Sequence, residues 1–180
     1  QLDREAKLIS KKLPTKKKII FLLGENNIET IIGYIAFIQQ GFSVAILDFK
    51  INRVFLKDLI KLYNPSFIFC SRNNQKNLKN VKILLKFKTF VLTQNLSEKE
   101  YEINKDLMLL MSTSGTTGSP KLVRQSYENI DSNTKNISKY LSINKEDVTI
   151  TSLPFSYVYG LSVINSHLYS GATIVLTNRS

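Results

Sequence analysis

Three short apolar segments constrain the fold of this chain most strongly. Residues 18–23, 43–47 and 66–70 are nearly continuous runs of aliphatic and aromatic side chains. Strands that are apolar on both faces and that alternate with helices are typical of parallel sheets, which are joined by right-handed crossovers. The sequence therefore predicts an α/β fold with a mostly parallel β-sheet that is covered by helices on both faces.

Two helices are predicted between these strands. The first begins at Asn26 or Asn27 and ends at Gly41, because asparagine caps helix starts and glycine follows helix ends. The second covers residues 52–63, and the apolar residues of its predicted inner face are Val54, Phe55, Leu59 and Leu62.

The rest of the chain continues the same alternation. Residues 73–80 are polar, which predicts a helical or irregular segment. Further strands are predicted at residues 89–92, 107–111, 122–125, 147–151 and 172–176, with helices at 127–141 and 158–169. The strand at 122–125 is expected to return antiparallel to the one before it, and the sheet is expected to continue to the last strand.

A hydroxyl- and glycine-rich segment follows the strand at 107–111. Residues 112–117 hold five Ser and Thr hydroxyls, and Gly115 and Gly118 allow backbone N–H groups to approach an anion closely. Lys121 adds a compact positive charge at the end of the segment. This pattern predicts a loop that binds the phosphates of a triphosphate or a similar anion.

Residues of these types have two other interpretations. Ser, Thr, Gly and Pro are also ordinary turn residues, so the segment could be a polar hairpin, although a turn does not need an unbroken run of them. A Walker loop is disfavoured, because Gly115 and Gly118 are three apart and Lys121 is followed by Leu122 rather than by Ser or Thr.

Composition excludes several function classes. The net charge of +11 comes from lysines spread along the chain, and the one dense cluster, residues 11–18, is interpreted as a solvated loop before a strand. The basic residues lack the aromatic interleaving of a nucleic-acid platform. No apolar run reaches the ~20 residues that span a bilayer. The single cysteine, Cys70, lies in an apolar run, which fits a buried thiol and a cytoplasmic protein.

The chain resembles one known family. Residues 110–123 resemble the phosphate-loop signature of the adenylate-forming (AMP-binding) superfamily, which includes acyl- and aryl-CoA ligases, firefly luciferase and the adenylation domains of peptide synthetases. Residues 38–48 resemble its helix-glycine-strand segment, and residues 153–161 resemble its next signature. The sequence departs from the family pattern at Leu122, where glycine is usual, and at Tyr157, where histidine is usual.

The resemblance implies an ATP-dependent ligase that joins a carboxylate to AMP, releases pyrophosphate, and passes the acyl group to a thiol of coenzyme A or a carrier-protein pantetheine. Magnesium would assist this reaction. The implied nucleotide-binding residues are Ser112, Thr113, Ser114, Gly115, Thr116, Thr117, Gly118, Ser119 and Lys121. An inactive nucleotide-binding or regulatory module is the alternative from another class.

Tyr157 would line the substrate pocket in such an enzyme. The other interpretation is that Phe155, Tyr157 and Tyr159 are core aromatics, which is favoured for Phe155 and Tyr159 and left open for Tyr157. His167 has no Cys or acidic partners at metal-ligand spacing, so a packed or surface histidine is favoured.

The resemblance also concerns domain organisation. Residues 1–180 are expected to form a single partial domain, the N-terminal portion of an AMP-binding domain, with the rest of that domain and the C-terminal domain absent. In the family, the acidic magnesium ligand, the ribose-binding aspartate and the catalytic lysine all follow later in the chain. No catalytic residue or metal ligand is therefore assigned here, and the 180 residues alone are expected to be inactive.

Overall fold

A computed structural model of the protein describes residues 1–112 and 121–177. The helices are α1 (Leu2–Ser10), α2 (Ile28–Gln39), α3 (Arg53–Tyr63), α4 (Arg72–Gln75), α5 (Tyr127–Tyr140) and α6 (Val158–Tyr169). The strands are β1 (Ile19–Gly24), β2 (Ser43–Asp48), β3 (Phe67–Ser71), β4 (Val81–Phe87), β5 (Phe90–Asn95), β6 (Leu107–Ser112), β7 (Leu122–Ser126), β8 (Val148–Ile150) and β9 (Thr173–Val175).

One seven-stranded sheet organises the molecule, in the order β4-β5-β3-β1-β2-β6-β7. The four central strands β3, β1, β2 and β6 are parallel, whereas β5 and β7 add antiparallel neighbours to β3 and β6. Helices cover both faces of this sheet. The predicted α/β architecture, including the antiparallel return of β7, is confirmed.

Strand β1 shows why the core has two sides. Ile20 and Leu22 pack in one hydrophobic cluster with α1, α2 and α6, while Phe21 and Leu23 pack in the other with α3. Consecutive side chains of a strand point to opposite faces, so a strand that is buried along its whole length needs apolar residues at every position. The continuous apolar runs are the sequence signal of this arrangement.

Side chains cap the starts of α2 and α5, and the cap of α2 is one of the two predicted asparagines. The Asn27 side chain accepts a hydrogen bond of 2.9 Å from the Thr30 N–H at the start of α2. Ser126 and Asn129 form a capping box at the start of α5. Gly41 follows α2 with φ +79°, a backbone conformation that glycine adopts without strain.

Three features differ from the sequence-based expectations. In α3 the buried residues are Leu56 and Leu59, while Val54 and Leu62 are exposed, because only one stripe of the helix faces the sheet. Strand β4 was not predicted. It lies at the sheet edge, its lysines interrupt the apolar pattern, and its pairing with β5 depends on backbone hydrogen bonds.

The third difference concerns the end of the chain. Strands β8 and β9 pair in parallel with each other as a separate two-stranded sheet, so the expectation that they extend the main sheet is wrong. The edge beside β6 is already occupied by β7. Helix α6 connects β8 to β9 and packs on the main core through Leu161 and Ile164.

Cys70 lies in β3 and is fully buried, and burial raises the pKa of its thiol to about 12. The reactive thiolate is therefore scarce near neutral pH, and a reagent cannot reach the sulfur. We expect the native protein to react very slowly with an aromatic disulfide reagent at about pH 8, and to release one thiol equivalent once urea unfolds it. Rapid stoichiometric reaction of the native protein would contradict this burial.

Within the described residues, no helix is long and apolar enough to cross a membrane.

Candidate functional site

The candidate site lies at the carboxyl edge of the parallel strands. Strand β1 ends at Gly24 and β2 at Asp48, and these two residues are register partners. Strand β6 ends at Ser112, one residue beyond the pair Ile46 and Met111. Ligands of open α/β sheets bind at this edge, so the predicted phosphate loop leaves β6 at the position where the fold favours a ligand.

The structure brings Ser112 and Lys121 to the same edge. Ser112 is the register partner of Leu122, the residue directly after Lys121, and both predicted site residues are exposed. The connection between β6 and β7 covers residues 113–121, longer than the roughly two to five residues of common hairpin loops. The other predicted phosphate-binding residues, Thr113, Ser114, Gly115, Thr116, Thr117, Gly118 and Ser119, lie outside the described residues.

The chain leaves this connection through a defined contact with α3. The Leu122 N–H donates a hydrogen bond of 2.8 Å to the phenol oxygen of Tyr63, the last residue of α3. The Leu122 side chain is buried in the hydrophobic cluster on the α3 face of the sheet. Leucine at this position therefore contributes packing that a glycine would not provide.

A small cleft of about 140 Å³ lies beside the ends of β1 and β2. Its lining residues are Gly24, Glu25, Asn26, Asp48, Phe49, Lys50, Ser152, Pro154, Phe155 and Thr177. Partial burial, reinforced by the charges of Glu29 and Asp48, raises the pKa of Glu25. The cleft wall therefore carries two carboxyl groups, Glu25 and Asp48, and one ammonium group, Lys50.

Asn26 joins the two walls of this cleft. Its amide nitrogen donates to the carbonyl oxygens of Leu153 (3.0 Å), Thr177 (3.1 Å) and, at a longer 3.3 Å, Thr151. Its side-chain oxygen accepts a hydrogen bond of 2.9 Å from the Phe155 N–H. One side chain thus attaches the end of β1 to the segments that follow β8 and β9.

The family model described as "AMP-binding enzyme" matches residues 1–180. The chain belongs to this family. Two curated relatives in this family illustrate the similarity. A 2-succinylbenzoate–CoA ligase from Enterococcus faecalis is 24% identical over 170 residues, which cover 93% of this chain and 35% of the ligase. A D-alanine–D-alanyl carrier protein ligase from Staphylococcus epidermidis is 24% identical over 189 residues, which cover 99% of this chain and 37% of that ligase.

Solved structures agree on the AMP-binding fold. The O-succinylbenzoate Coenzyme A synthetase from Bacillus subtilis, in complex with ATP and magnesium ion, aligns with a TM-score of 0.79 and 22% identity. The alignment covers 99% of this chain and 50% of that one. The ATP-bound MatB from Rhodopseudomonas palustris aligns with a TM-score of 0.77 and 18% identity, covering 99% of this chain and 39% of MatB. The chain spans little more than a third of the length of the curated relatives described above.

Tyr157 stands at the start of α6, with 52% of its surface exposed. The residues before it are held firmly. Phe155 is buried edge-on against Tyr34, with ring centroids 5.4 Å apart, and the Ser156 hydroxyl donates to an Asp48 carboxylate oxygen at 3.4 Å. Tyr157 is therefore an exposed side chain on an anchored segment, which leaves it accessible to a ligand.

The other aromatic residues of this segment differ in their environment. The core interpretation is right for Phe155 and wrong for Tyr159, which is 67% exposed. Helix α6 turns Gly160, Leu161 and Ile164 inward instead. A Cβ on Gly160 would lie 2.4 Å from the Pro154 carbonyl oxygen, so this close approach of helix and loop requires glycine.

No group of three or more His, Cys, Asp or Glu side chains within residues 1–112 and 121–177 could hold a metal ion. His167 is half-buried in α6, where its Nδ1 lies 2.7 Å from the Val163 carbonyl oxygen. That contact is within the helix itself, as expected for a packed histidine.

Sequence reasoning missed two residues of this site. Asn26 was considered only as an alternative to Asn27 for capping α2, and Tyr63 was assigned no role. The pair Asn26 and Asn27 carried a usable signal, since a helix needs one cap and the second asparagine is then free for another task. Tyr63 carried no such sequence signal, because its partner Leu122 is 59 residues away in the chain.

Proposed function

We propose that the intact protein is an ATP-dependent ligase that activates a carboxylic acid as an acyl adenylate and transfers the acyl group to the thiol of coenzyme A or of a carrier-protein pantetheine. One observation carries the proposal. A run of hydroxyls and glycines begins at Ser112, ends at Lys121, and has both ends exposed at the carboxyl edge of the sheet of an AMP-binding family member. The names of the curated relatives support the two acceptor classes.

The chemistry requires positioning and charge neutralisation more than covalent assistance. A carboxylate oxygen attacks the α-phosphorus of ATP, the bond from that phosphorus to the bridging oxygen breaks, and pyrophosphate leaves with the bond electrons. Lys121 and the hydroxyls of Ser112, Thr113, Ser114, Thr116 and Thr117 would hold the β- and γ-phosphates, with Ser119 nearby in sequence. Gly115 and Gly118 would let backbone N–H groups approach them. Magnesium bound with the triphosphate supplies further charge neutralisation, and no residue described here is assigned to it.

Tyr157 would line the pocket where the carboxylate meets the α-phosphate. Its phenol can donate a hydrogen bond to an oxygen of the carboxylate or the phosphate, at the position where histidine is usual in the family. The anchoring of Phe155 and Ser156 supports this role, because a ligand contact needs a fixed backbone.

Pyrophosphate release measures the proposed activity directly. The intact protein is incubated with ATP, magnesium and a panel of carboxylic acids, and we expect release that depends on one class of acid. Reactions without the acid are the control, and coenzyme A and a pantetheinylated carrier protein are then compared as acceptors.

The outcomes separate the two function classes. ATP binding without pyrophosphate release for any acid would favour the inactive nucleotide-binding module. Failure to bind ATP would contradict both the ligase and the inactive nucleotide-binding module. We expect residues 1–180 alone to release no pyrophosphate, because the acidic, ribose-binding and catalytic motifs of the family are not in them.

A further inference from the structure

Tyr63 lies where the end of α3 meets the start of β7. Its phenol oxygen accepts the 2.8 Å hydrogen bond from the Leu122 N–H, and its half-buried ring packs on the hydrophobic cluster of the α3 face. Leu122 and Ser112 are the last register pair of β6 and β7. Tyr63 therefore fixes the backbone at the residue that directly follows Lys121.

The end of α3 is itself held in place. Asn64 ends the helix in a left-handed conformation, with φ 44° and ψ 57°. The Tyr101 phenol donates to the carbonyl oxygens of Tyr63 (2.8 Å) and Asn64 (3.1 Å). Tyr101 therefore contacts the carbonyl end of α3, whereas the Tyr63 phenol contacts the start of β7.

We propose that Tyr63 is a positioning residue for Lys121, an inference that rests on the proposed role of Lys121 in holding ATP phosphates. Lys121 has a long, flexible side chain and is exposed. A hydrogen bond on the adjacent amide restricts the backbone from which that side chain starts. The ammonium group then loses less conformational freedom when it binds an anion.

The alternative is that Tyr63 only packs against the core. In that case the aromatic ring accounts for the whole contribution of Tyr63 to stability, and its hydroxyl has no effect on ATP binding. Tyr63→Phe separates the two, because it keeps the ring and removes the acceptor. Tyr101→Phe is the matched control, since it removes a different phenol, one that donates to the carbonyl oxygens of Tyr63 and Asn64 and is not the acceptor of the Leu122 N–H.

The test compares the intact wild-type protein with these two variants. Steady-state pyrophosphate release at a saturating carboxylate gives the KM for ATP and kcat, and hydrogen exchange of the Leu122 amide reports on the bond itself. We expect Tyr63→Phe to raise the KM for ATP about 3- to 10-fold, with a smaller change in kcat and faster exchange at Leu122. Tyr101→Phe should leave the KM for ATP near the wild-type value.

Two results would overturn the inference alone. The first is a wild-type KM for ATP in Tyr63→Phe, and the second is an equal rise in Tyr101→Phe, which would mean that only the stability of the helix end matters. Wild-type protein that neither binds nor uses ATP would refute the proposed function, and this inference with it. The wild-type measurement therefore distinguishes the two failures.

Discussion

Replacing Lys121 by alanine is expected to raise the KM for ATP of the intact protein about 10- to 100-fold, the effect of losing one charge-assisted hydrogen bond to phosphate. Stability should not change, because Lys121 is exposed and precedes β7 rather than packing within it. The measurement is pyrophosphate release as a function of ATP concentration, together with a urea unfolding curve.

Lys86→Ala is the matched control for this variant. Lys86 is also exposed, and it lies on β4, at the opposite edge of the seven-stranded sheet from β7. The substitution removes the same charge far from the candidate site, so it should leave the KM for ATP unchanged. An equal KM for ATP in Lys121→Ala and the wild type would contradict the assignment of Lys121 to phosphate binding.

Asn26→Ala is expected to lower the free energy of unfolding by about 2–3 kcal/mol, since it removes several side-chain hydrogen bonds to backbone groups, among them the bond to the part-buried Phe155 N–H. The Phe155 N–H loses its acceptor, and the carbonyl oxygens of Leu153 and Thr177 lose a donor. The segment that carries Tyr157 then loses its attachment to β1. We therefore also expect weaker use of the carboxylate substrate, measured as an increase in its KM.

The control for this variant is Asn136→Ala in α5. The Asn136 amide is exposed and makes one hydrogen bond of 3.5 Å to the Ser132 hydroxyl. Its loss should change the free energy of unfolding by less than about 0.5 kcal/mol. Urea midpoints that fall equally in the two variants would contradict the special role of Asn26.

Much of the secondary structure follows from the sequence, because the strong signals are local. The apolar runs of β1, β2 and β3 and the caps at Asn27 and Ser126 depend on neighbouring residues alone. The predictions were weaker where an element depends on a distant partner. Strand β4 is stabilised by pairing with β5, and Tyr159 was assigned to the core although the orientation of α6 leaves it exposed.

The residues of the candidate site also divide into those with a local sequence signal and those whose contacts depend on distant partners. The run from Ser112 to Lys121 is contiguous, so its chemistry can be inferred from residue types and spacing. Asn26 contacts Phe155 across 129 residues and Tyr63 contacts Leu122 across 59 residues. No local pattern encodes such pairs, because they exist only when the sheet brings β1, α3 and β7 to their places.

The sequence by itself determined the α/β class, the parallel core strands and the run of hydroxyls and glycines from Ser112 to Lys121, since each depends on side chains within a few residues of one another. The tertiary structure alone decided that β8 and β9 form a second sheet, that Asn26 joins that sheet to β1, and that Tyr63 holds the start of β7. These outcomes depend on which edge of the main sheet is already occupied and on which buried backbone groups still need a hydrogen-bond partner.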